Sequence, residues 1–299
     1  MTPDLAARGS ELRRARAAYV HARVVAAEKP TSAKPGAEAI VLADGTIEGF
    51  VGGACAESTV RAQALTLLDS GETLLLRITP EPEAPRPGSL TVHNPCLSGG
   101  TLEVFLEPVI PAPLVVVVGD TPIARALLDL VGPLGHAGAS YAGTLPADAA
   151  AVVVATHGRD EEAVLGEALR AEVPYVGLVA SRKRGEAVLS SLDVCASMTA
   201  QVHTPAGLDI GARTPEEVAL SILAEIISTR PRQSGRPVAE GAQGGERLPT
   251  VESAIDPVCG MSVAMVDASL HLDHEEVRYW FCGSGCLRAF AADPHAYLS

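Results

Sequence analysis

Apolar runs that alternate with amphipathic segments across residues 114–228 constrain the fold of this chain more than any other feature. The predicted strands are Leu114–Val118, Ala150–Ala155, Tyr175–Ala180 and Met198–His203. The predicted helices lie near 160–171, 183–192 and 215–228. Strands that are apolar from end to end are buried on both faces, which predicts a parallel sheet covered by helices on both sides.

The first hundred residues predict a different architecture, a polar helix followed by a mixture of short strands and one longer helix. The predicted strands are His21–Ala27, Ala39–Leu42, Thr73–Ile78 and Thr101–Leu106. Asp44-Gly45 is a hairpin turn signal. Glu57–Leu68 is predicted as a helix that ends near Gly71. This part is therefore expected to be a mixed α+β domain.

Two stretches predict domain boundaries. Three prolines interrupt the pattern in Pro108–Pro113, and residues 229–254 are rich in Gly, Pro, Ser and charge without apolar periodicity. The predicted class is α/β. Its parts are an N-terminal mixed α+β domain at 1–108, a Rossmann-like parallel-sheet domain at 109–230, a flexible linker at 231–253 and a small ββα module of metal-binding type at 254–299.

Charge and hydropathy exclude several classes of partner. The chain has 299 residues, with 36 acidic against 23 basic side chains and a net charge of −13, which argues against nucleic acid or an anionic membrane as the main partner. No apolar run approaches the roughly 18 residues of a membrane-spanning helix. The first residues lack a signal-peptide core, so the cytoplasm is the expected location.

The stretch Pro205–Glu225 predicts a loop that runs directly into a helix. Thr214 is placed as the N-cap, Pro215 as the first helical residue and Glu217 at the third helical position. This arrangement predicts a capping box, in which the Thr and Glu side chains each satisfy a backbone N–H group.

The loop before that helix carries the features of an anion site. Gly207 and Gly211 allow close backbone approach, Asp209 lies between them, and Arg213 places a positive charge beside the helix N-terminus. A helix N-terminus of this kind favours a phosphate. The alternative is a loop that only docks the helix onto its neighbours.

Two further loops follow predicted strands of the parallel sheet. Thr156-His157-Gly158 follows one strand and Ser181–Arg184 follows the next. Open α/β sheets bind ligands at the carboxyl ends of their strands, so these loops and the 207–213 loop are expected to line a crevice for a phosphate-bearing ligand. The alternative for Ser181–Arg184 is a solvated start of a helix.

The glycine fingerprint of a dinucleotide fold is largely missing. Only Gly119 of the GxGxxG pattern follows the first apolar strand, and the region after it, HAGASYAG, lacks the expected acidic residue. A bound NAD is therefore disfavoured.

Two cysteines in the N-terminal domain lie beside paired glycines. Gly52 and Gly53 precede Cys55 at a predicted helix N-terminus, where the helix dipole lowers the pKa of a thiol. Cys96 lies before Gly99-Gly100 and the next strand. Both are expected to be functional thiols, whereas Cys195 is expected to be a packing residue.

The last 45 or so residues carry the clearest metal-ligand pattern. Cys259 is followed by a predicted hairpin over Leu270–Phe281 and by Cys282 and Cys286. A module of this size usually needs a bound metal or another cross-link for stability, and three thiolates could bind Zn²⁺ or Cu⁺. A fourth ligand is not identified among His271, His274 and His295, and a redox-active cysteine pair is the alternative.

The motifs VGGACAE, CLSGGTLEVFLEP, ATHGRDE, YVGLVASRKR and PAGLDIGARTPEEVALSILAEI resemble the xanthine dehydrogenase accessory (XdhC/CoxI) family over about residues 15–230. The C-terminal DPVCGM…YWFCGSGC…DPHAYL resembles a YHS domain, a module associated with heavy metals. One departure is Pro30–Gly36, which stands where the family has a Gly-Ser-x-Pro loop.

The resemblance implies a maturation and insertion factor that binds molybdenum cofactor for a xanthine dehydrogenase or CO dehydrogenase. It implies a hydroxylase client, with a cysteine desulfurase and a second copy of the chain as further candidate partners. No catalytic residue is assigned, because an accessory chaperone is expected more than an enzyme. A metal-binding or metal-sensing protein that acts through the YHS-like module is the alternative, and an NAD(P)-dependent oxidoreductase is disfavoured.

Each residue of the implied sites has an expected role. Cys55 and Cys96 would contact the molybdenum or its sulfur, and His157, Arg182 and Arg213 would hold the phosphate. The remaining cofactor-site residues are Gly52, Gly53, Glu57, Gly99, Gly100, Gly207 and Asp209. The expected ligands of Zn or Cu are Cys259, Cys282 and Cys286.

Overall fold

The computed structural model describes residues 4–95, 100–156, 158–230 and 252–298. The described residues fall into two compact units. One, here called the terminal unit, lies within Met1–Pro111 and Arg236–Ser299, and the other, the central unit, lies within Ala112–Gly235. Most of the predicted linker, residues 231–251, lies outside the described residues.

The terminal unit is built on a six-stranded sheet of order β3-β2-β1-β6-β4-β5. Its strands are β1 Tyr19–Glu28, β2 Glu38–Leu42, β3 Ile47–Gly49, β4 Leu74–Thr79, β5 Leu90–His93 and β6 Thr101–Val109. All pairs are antiparallel except β4 with β5. Asp44 and Gly45 form the predicted turn between β2 and β3.

Two helices accompany this sheet, α1 Leu5–Arg14 and α2 Ala54–Ser70. Gly53 caps the start of α2, and Gly71 ends it in the left-handed conformation, with its N–H donating to the carbonyl of Leu67. One side of α2 packs into the core of the sheet through Val60, Ala64 and Leu67. Other α2 residues are buried away from that core, so the helix is covered on more than one side.

The central unit is a five-stranded parallel sheet of order β11-β10-β9-β7-β8. Its strands are β7 Leu114–Val118, β8 Ala137–Ser140, β9 Ala149–Val154, β10 Val176–Leu178 and β11 Val202–His203. Its helices are α3 Pro122–Val131, α4 Glu161–Arg170, α5 Arg182–Ser191, α6 Ala196–Thr199 and α7 Pro215–Thr229. The predicted α/β class with a Rossmann-like parallel sheet is confirmed.

Burial explains the apolar runs of the central unit. In β7, Val115 and Val117 join a core with side chains of α3 and α7, whereas Val116 and Val118 join a second core with side chains of α4 and α5. Successive strand residues point to opposite faces, so a sheet covered twice needs apolar residues at every position.

The prediction of a strand over Met198–His203 is wrong at its first half. The carbonyl of Cys195 accepts hydrogen bonds from the N–H groups of Met198 and Thr199, which closes a single helical turn, α6. Only Val202 and His203 reach the sheet, where they pair with β10.

The C-terminal part of the terminal unit contains two small antiparallel pairs and a helix. β12 Ser253–Ile255 pairs with β13 Ser262–Ala264, and β14 Leu270–His274 pairs with β15 Val277–Phe281 as the predicted hairpin. α8 Ser284–Ala292 follows, and Phe290 on α8 is fully buried against Phe281 and Tyr279. No helix in the described ranges is long and apolar enough to cross a bilayer.

Candidate functional site

A cleft of about 620 Å³ lies at the carboxyl edge of the central parallel sheet. The loops after β10 and β11 line it, together with the first residues of α5 and part of α7. The lining includes Arg182, Gly207 and Asp209, as the sequence predicted. Leu208 and Ile210 are 41% and 53% exposed on the same rim, which gives the cleft an apolar wall beside its polar one.

The two arginines at the start of α5 both line the cleft but differ in their partners. Arg184 pairs with Glu161, whose carboxylate also accepts hydrogen bonds from the Thr156 hydroxyl at 2.6 Å and the Gly158 N–H at 3.1 Å. Burial by itself would raise the pKa of Glu161, but these hydrogen bonds and the Arg184 charge hold it below its usual range. Arg182 is exposed beside the cleft, so it is the guanidinium better placed for a ligand.

Gly207 is required by the fold of the cleft loop. Its φ is +103°, and an added Cβ would lie 2.3 Å from Ser221 Oγ. Its N–H donates to Glu225 Oε2 at 2.7 Å, and the same carboxylate accepts a hydrogen bond from the Tyr175 hydroxyl at 2.6 Å. The backbone N–H of Gly207 is therefore already used within the protein.

The capping box at the start of α7 is confirmed. Thr214 Oγ1 accepts the Glu217 N–H at 3.2 Å, and Glu217 Oε2 accepts the N–H groups of Arg213 and Thr214 at 2.7 and 3.0 Å. Hydrogen bonds from Arg213 and Thr214 hold the pKa of Glu217 below its usual range. The Glu217 carboxylate thus binds the Arg213 and Thr214 N–H groups at the predicted phosphate site. The Arg213 side chain is exposed and does not line the cleft.

The loop after β7 keeps one glycine of the dinucleotide pattern, Gly119. Gly119 has a φ of +114°, and an added Cβ would lie 2.4 Å from the Ala155 carbonyl oxygen. Thr121 caps α3 and donates its hydroxyl to that same oxygen at 2.9 Å. Gly119 therefore allows this turn to pack closely against the end of β9.

A second, smaller cleft of about 40 Å³ lies in the terminal unit beside the start of α2. Residues 30–32, Gly53, Cys55 and Gly100 line it. An added Cβ at Gly100 would lie 2.2 Å from the Pro30 carbonyl oxygen, so this glycine permits contact between two backbones. The cleft can hold only a few water molecules, so a larger ligand would bind over its opening and not inside it.

The other predicted residues near α2 have local roles. Gly52 has a φ of +149°, and an added Cβ would lie 2.9 Å from Ala56 Cβ. Burial raises the pKa of Glu57, an effect that the nearby Arg61 charge opposes. The remaining predicted residues Cys96, Gly99 and His157 lie outside the described residues.

Three cysteines of the C-terminal module lie together with a carboxylate. Cys282 Sγ is 3.5 Å from Cys259 Sγ and 3.7 Å from Cys286 Sγ, and ligand atoms of these cysteines and Asp256 all lie within 4.8 Å of one another. Burial and the Asp256 charge raise the pKa of Cys286 to about 12. A bound cation would stabilise the three cysteines in their thiolate form.

The sequence analysis missed the carboxylate of this cluster and a further thiol that lies beside it. Asp256 is fully buried and accepts the N–H groups of Val258 at 2.9 Å and Cys282 at 2.8 Å. The sequence signal that could have identified Asp256 is its position three residues before Cys259. Cys55, assigned from sequence to the cofactor, has its Sγ 3.9 Å from Cys282 Sγ across 227 residues of chain, a separation for which local sequence offers no signal.

The assignment of Cys195 to packing is wrong. Cys195 is exposed at the N-cap of α6, and its Sγ lies 3.1 Å from Ser197 Oγ. That hydrogen bond, with others from the turn, lowers the pKa of the Cys195 thiol.

Comparisons with known proteins agree with this architecture. The family model of the XdhC Rossmann domain matches residues 115–226, and the model of the XdhC and CoxI family matches residues 12–79. The chain is 27% identical over 273 residues to the uncharacterized protein YqeB of Escherichia coli K12, covering 81% of this chain and 49% of that protein.

The chain is also 36% identical over 83 residues to a protein of Bacillus subtilis 168 named as a probable xanthine dehydrogenase subunit, covering 28% of this chain and 24% of that protein. It thus spans about half and about a quarter of these two relatives. A crystal structure of a xanthine dehydrogenase from Bacillus halodurans aligns with a TM-score of 0.35 and 17% identity, covering 76% of this chain and 96% of that one. At that score the alignment adds nothing to the assignment.

The two family models fall on the two folded parts described above, one on the sheet of the terminal unit and α2, the other on the central parallel sheet. Together they account for more than half of the chain, in the order that the sequence motifs indicated. The chain belongs to the XdhC and CoxI family.

Proposed function

We propose that this chain binds molybdenum cofactor and acts as a maturation and insertion factor for a molybdenum hydroxylase. Family membership supports an accessory role, and the Bacillus subtilis relative carries the name of a xanthine dehydrogenase component. Because the chain spans only part of that relative, the hydroxylase is proposed as a client and no reaction is assigned to the chain itself.

The observation that carries the proposal is the cleft of the central unit. Its volume of about 620 Å³ lies within the roughly 300–1,000 Å³ typical of small-molecule sites. It opens at the carboxyl edge of a parallel sheet, the edge at which such folds bind ligands. With a single glycine after β7 and no acidic residue at the end of β8, the turn favours a ligand other than NAD.

The residues around this cleft fit a pterin that carries a phosphate. Ser181 and Arg182 stand at the N-terminus of the ten-residue helix α5 and offer a hydroxyl and a guanidinium to the phosphate. Leu208 and Ile210 offer apolar surface to a flat ring. The molybdenum that the cofactor carries would supply the redox chemistry of the client.

Two thiols of the N-terminal sequence have a separate place in this proposal. Cys55 and Cys96 are proposed to contact the molybdenum or its sulfur, a role for which a polarisable thiol is suited. Gly53 and Gly100 line the small cleft beside Cys55. A Cys55→Ala, Cys96→Ala double variant with unchanged cofactor affinity would end this part of the proposal.

Cofactor retention tests the central cleft. The apo-protein is titrated with molybdenum cofactor, unbound cofactor is removed, and retained pterin is read by fluorescence after oxidation. We expect stoichiometric retention by the unaltered chain and a loss of about tenfold or more in Arg182→Ala, since a charge-assisted contact to phosphate contributes roughly 1.5–3 kcal/mol.

Lys183→Ala is the matched control, because Lys183 is exposed on the next position of α5 but does not line the cleft. Arg213→Ala tests the other predicted phosphate ligand, and we expect a smaller loss because Glu217 already occupies the N-terminus of α7. No retention by the unaltered chain, or equal losses in Arg182→Ala and Lys183→Ala, would contradict the proposal.

A second function is supported by the thiol cluster of the C-terminal module. Three cysteines and a buried carboxylate within 4.8 Å of one another fit a soft or borderline metal ion. Metal analysis of the full chain after reconstitution with Zn²⁺ tests this function, and a content no higher than that of a Cys259→Ser, Cys286→Ser double variant would reject it.

A further inference from the structure

We propose that Cys55 is the fourth ligand of the metal site in the C-terminal module. The ion is then held by thiolates from two distant parts of the chain, α2 and the last 48 residues. The proposal does not depend on cofactor binding, because it follows from the position of Cys55 Sγ beside Cys282 Sγ and from the packing of Cys55 against the module.

The distances around Cys282 carry the proposal. Its Sγ lies 3.5 Å from Cys259 Sγ, 3.7 Å from Cys286 Sγ and 3.9 Å from Cys55 Sγ. In a tetrahedral zinc site with Zn–S bonds of about 2.3 Å, neighbouring sulfur atoms are about 3.8 Å apart. Each of these three separations from Cys282 Sγ matches that edge.

Asp256 is the other candidate for the fourth position, and its contacts favour a supporting role. One carboxylate oxygen accepts the Val258 N–H and the other accepts the Cys282 N–H. This fully buried carboxylate thereby fixes the backbone at Cys282 and next to Cys259. Soft and borderline ions prefer thiolate to an oxygen that is already hydrogen-bonded, which leaves the fourth position to Cys55.

Packing holds Cys55 against the module. Its side chain lies beside an apolar group formed by Met261, Val263, Trp280 and Cys282. An added Cβ at Gly283 would lie 3.5 Å from Cys55 Sγ, which is ordinary van der Waals contact.

The contact continues along the same helix. Two turns after Cys55, Ala62 and Leu65 are buried against Ala264 of β13. On the β2–β3 turn, an added Cβ at Gly45 would lie 2.8 Å from Val266 Cγ2. The module therefore packs along α2 as well as at its first turn, so the position of Cys55 is supported by an apolar interface.

The chemistry of four thiolates points to Zn²⁺ or Cu⁺ held in a closed site. Each cysteine that becomes a ligand releases its proton to solvent, and no position remains open for water or substrate. Such an ion would fasten the module to α2. A chain that carries this ion cannot use Cys55 for the molybdenum contact proposed above, and that contact would then rest on Cys96.

The number of sulfur ligands tests the proposal directly. The full chain is loaded with Zn²⁺ and studied by X-ray absorption at the zinc edge. We expect four sulfur ligands in the unaltered chain, and three sulfurs with one oxygen or nitrogen in Cys55→Ser. Cys195→Ser is the matched control, because Cys195 is exposed in the central unit, and it should retain four. Three sulfurs in the unaltered chain, or four in Cys55→Ser, would overturn the proposal.

A measurement on the unaltered chain guards against a variant that fails to fold. Iodoacetamide labelling is followed at each cysteine by mass spectrometry, with and without Zn²⁺. We expect Zn²⁺ to slow labelling of Cys55 by about tenfold or more, together with the three cysteines of the module, while Cys195 is unaffected. A Cys55 rate that Zn²⁺ leaves unchanged, while the module cysteines are protected, would assign the fourth position to another group.

Discussion

At the scale of single residues, the structure separates glycines and charges that serve the fold from those that face a cleft. Gly207 and Gly100 are needed where a backbone or a serine hydroxyl approaches closely. Arg182 and Arg184 both line the cleft, but Arg184 is paired with buried Glu161 and Arg182 is exposed. A loop rich in glycine and arginine therefore contains both kinds of residue, and only their contacts distinguish them.

Gly207→Ala should destabilise the central unit more than Gly211→Ala. Both glycines have left-handed φ angles, +103° and +76°, but an added Cβ meets Ser221 Oγ only at Gly207. We expect about 1–2 kcal/mol for the left-handed conformation in each case, and roughly 1–3 kcal/mol more at Gly207 for the steric conflict. Urea unfolding followed by circular dichroism measures both, and equal losses would show that the Ser221 contact relaxes freely.

The Glu161 ion pair should make the central unit sensitive to acid. Because the pKa of Glu161 is held below its ordinary value of 4.5, its charged form stabilises the folded state above that pH. That stability is lost as the pH falls through the lower folded pKa. Glu161→Gln should therefore cost about 1–3 kcal/mol at pH 7 and progressively less below pH of about 4.

Glu162→Gln is the control for this measurement, since Glu162 is exposed on the next position of α4. Unfolding free energies at pH 7 and at low pH are compared for the two variants. A Glu161→Gln cost that stays constant with pH would contradict the role assigned to the charge.

At the scale of elements, helix termini decide where ligands can bind. α7 begins with a capping box, whereas α5 has only the Ser181 hydroxyl as its cap and begins at the cleft, which Ser181 and Arg182 line. α2 is an element with two interfaces. One side packs on the sheet and its first turn brings Cys55 to the C-terminal thiols.

Thr214→Ala should weaken α7 by about 1 kcal/mol, because it removes the oxygen that accepts the Glu217 N–H. Thr229→Ala is a matched control at the other end of the helix, where the hydroxyl donates only to the Ile226 carbonyl. Calorimetric unfolding of the two variants measures the difference. A loss in Thr229→Ala as large as in Thr214→Ala would mean that the capping box has no special contribution.

At the scale of the whole molecule, the chain order does not match the grouping of the folded parts. The C-terminal module belongs to the same compact unit as the N-terminal domain, and the parallel-sheet unit is inserted between them in sequence. A metal bound by Cys55 and the module would therefore stabilise one unit of the protein and leave the other unchanged.

Zn²⁺ should raise the unfolding temperature of the terminal unit alone. A ligand that binds only the folded state contributes about 2.7 kcal/mol at a concentration of 100 times its Kd. Trp280 is the single tryptophan of the chain and packs beside the cysteines, so its fluorescence reports this unit. Calorimetry follows the central unit in the same sample, and a shift in both transitions or in neither would contradict the prediction.

The sequence pattern was sufficient to predict most helices and strands, because interactions between neighbouring residues determine them. The apolar runs of β7 and β9, the β14–β15 hairpin and the Thr214 capping box all depend on neighbouring residues and were predicted. The short strands β5 and β8 were not predicted. They have four residues each and are only partly buried, so they carry little apolar signal.

The sequence by itself determined the α/β class, the family and the residue types of two candidate sites, since periodicity, capping and motif order are properties of nearby residues. The tertiary structure alone decided which of those residues meet. Arg184 pairs with Glu161, and the Glu217 carboxylate accepts the Arg213 N–H before α7. Cys55 Sγ lies 3.9 Å from Cys282 Sγ. The reason is physical: contacts between residues distant in the chain depend on how buried surfaces pack, and the packing of α2 on the C-terminal module brings two separate motifs to one cluster of sulfur atoms.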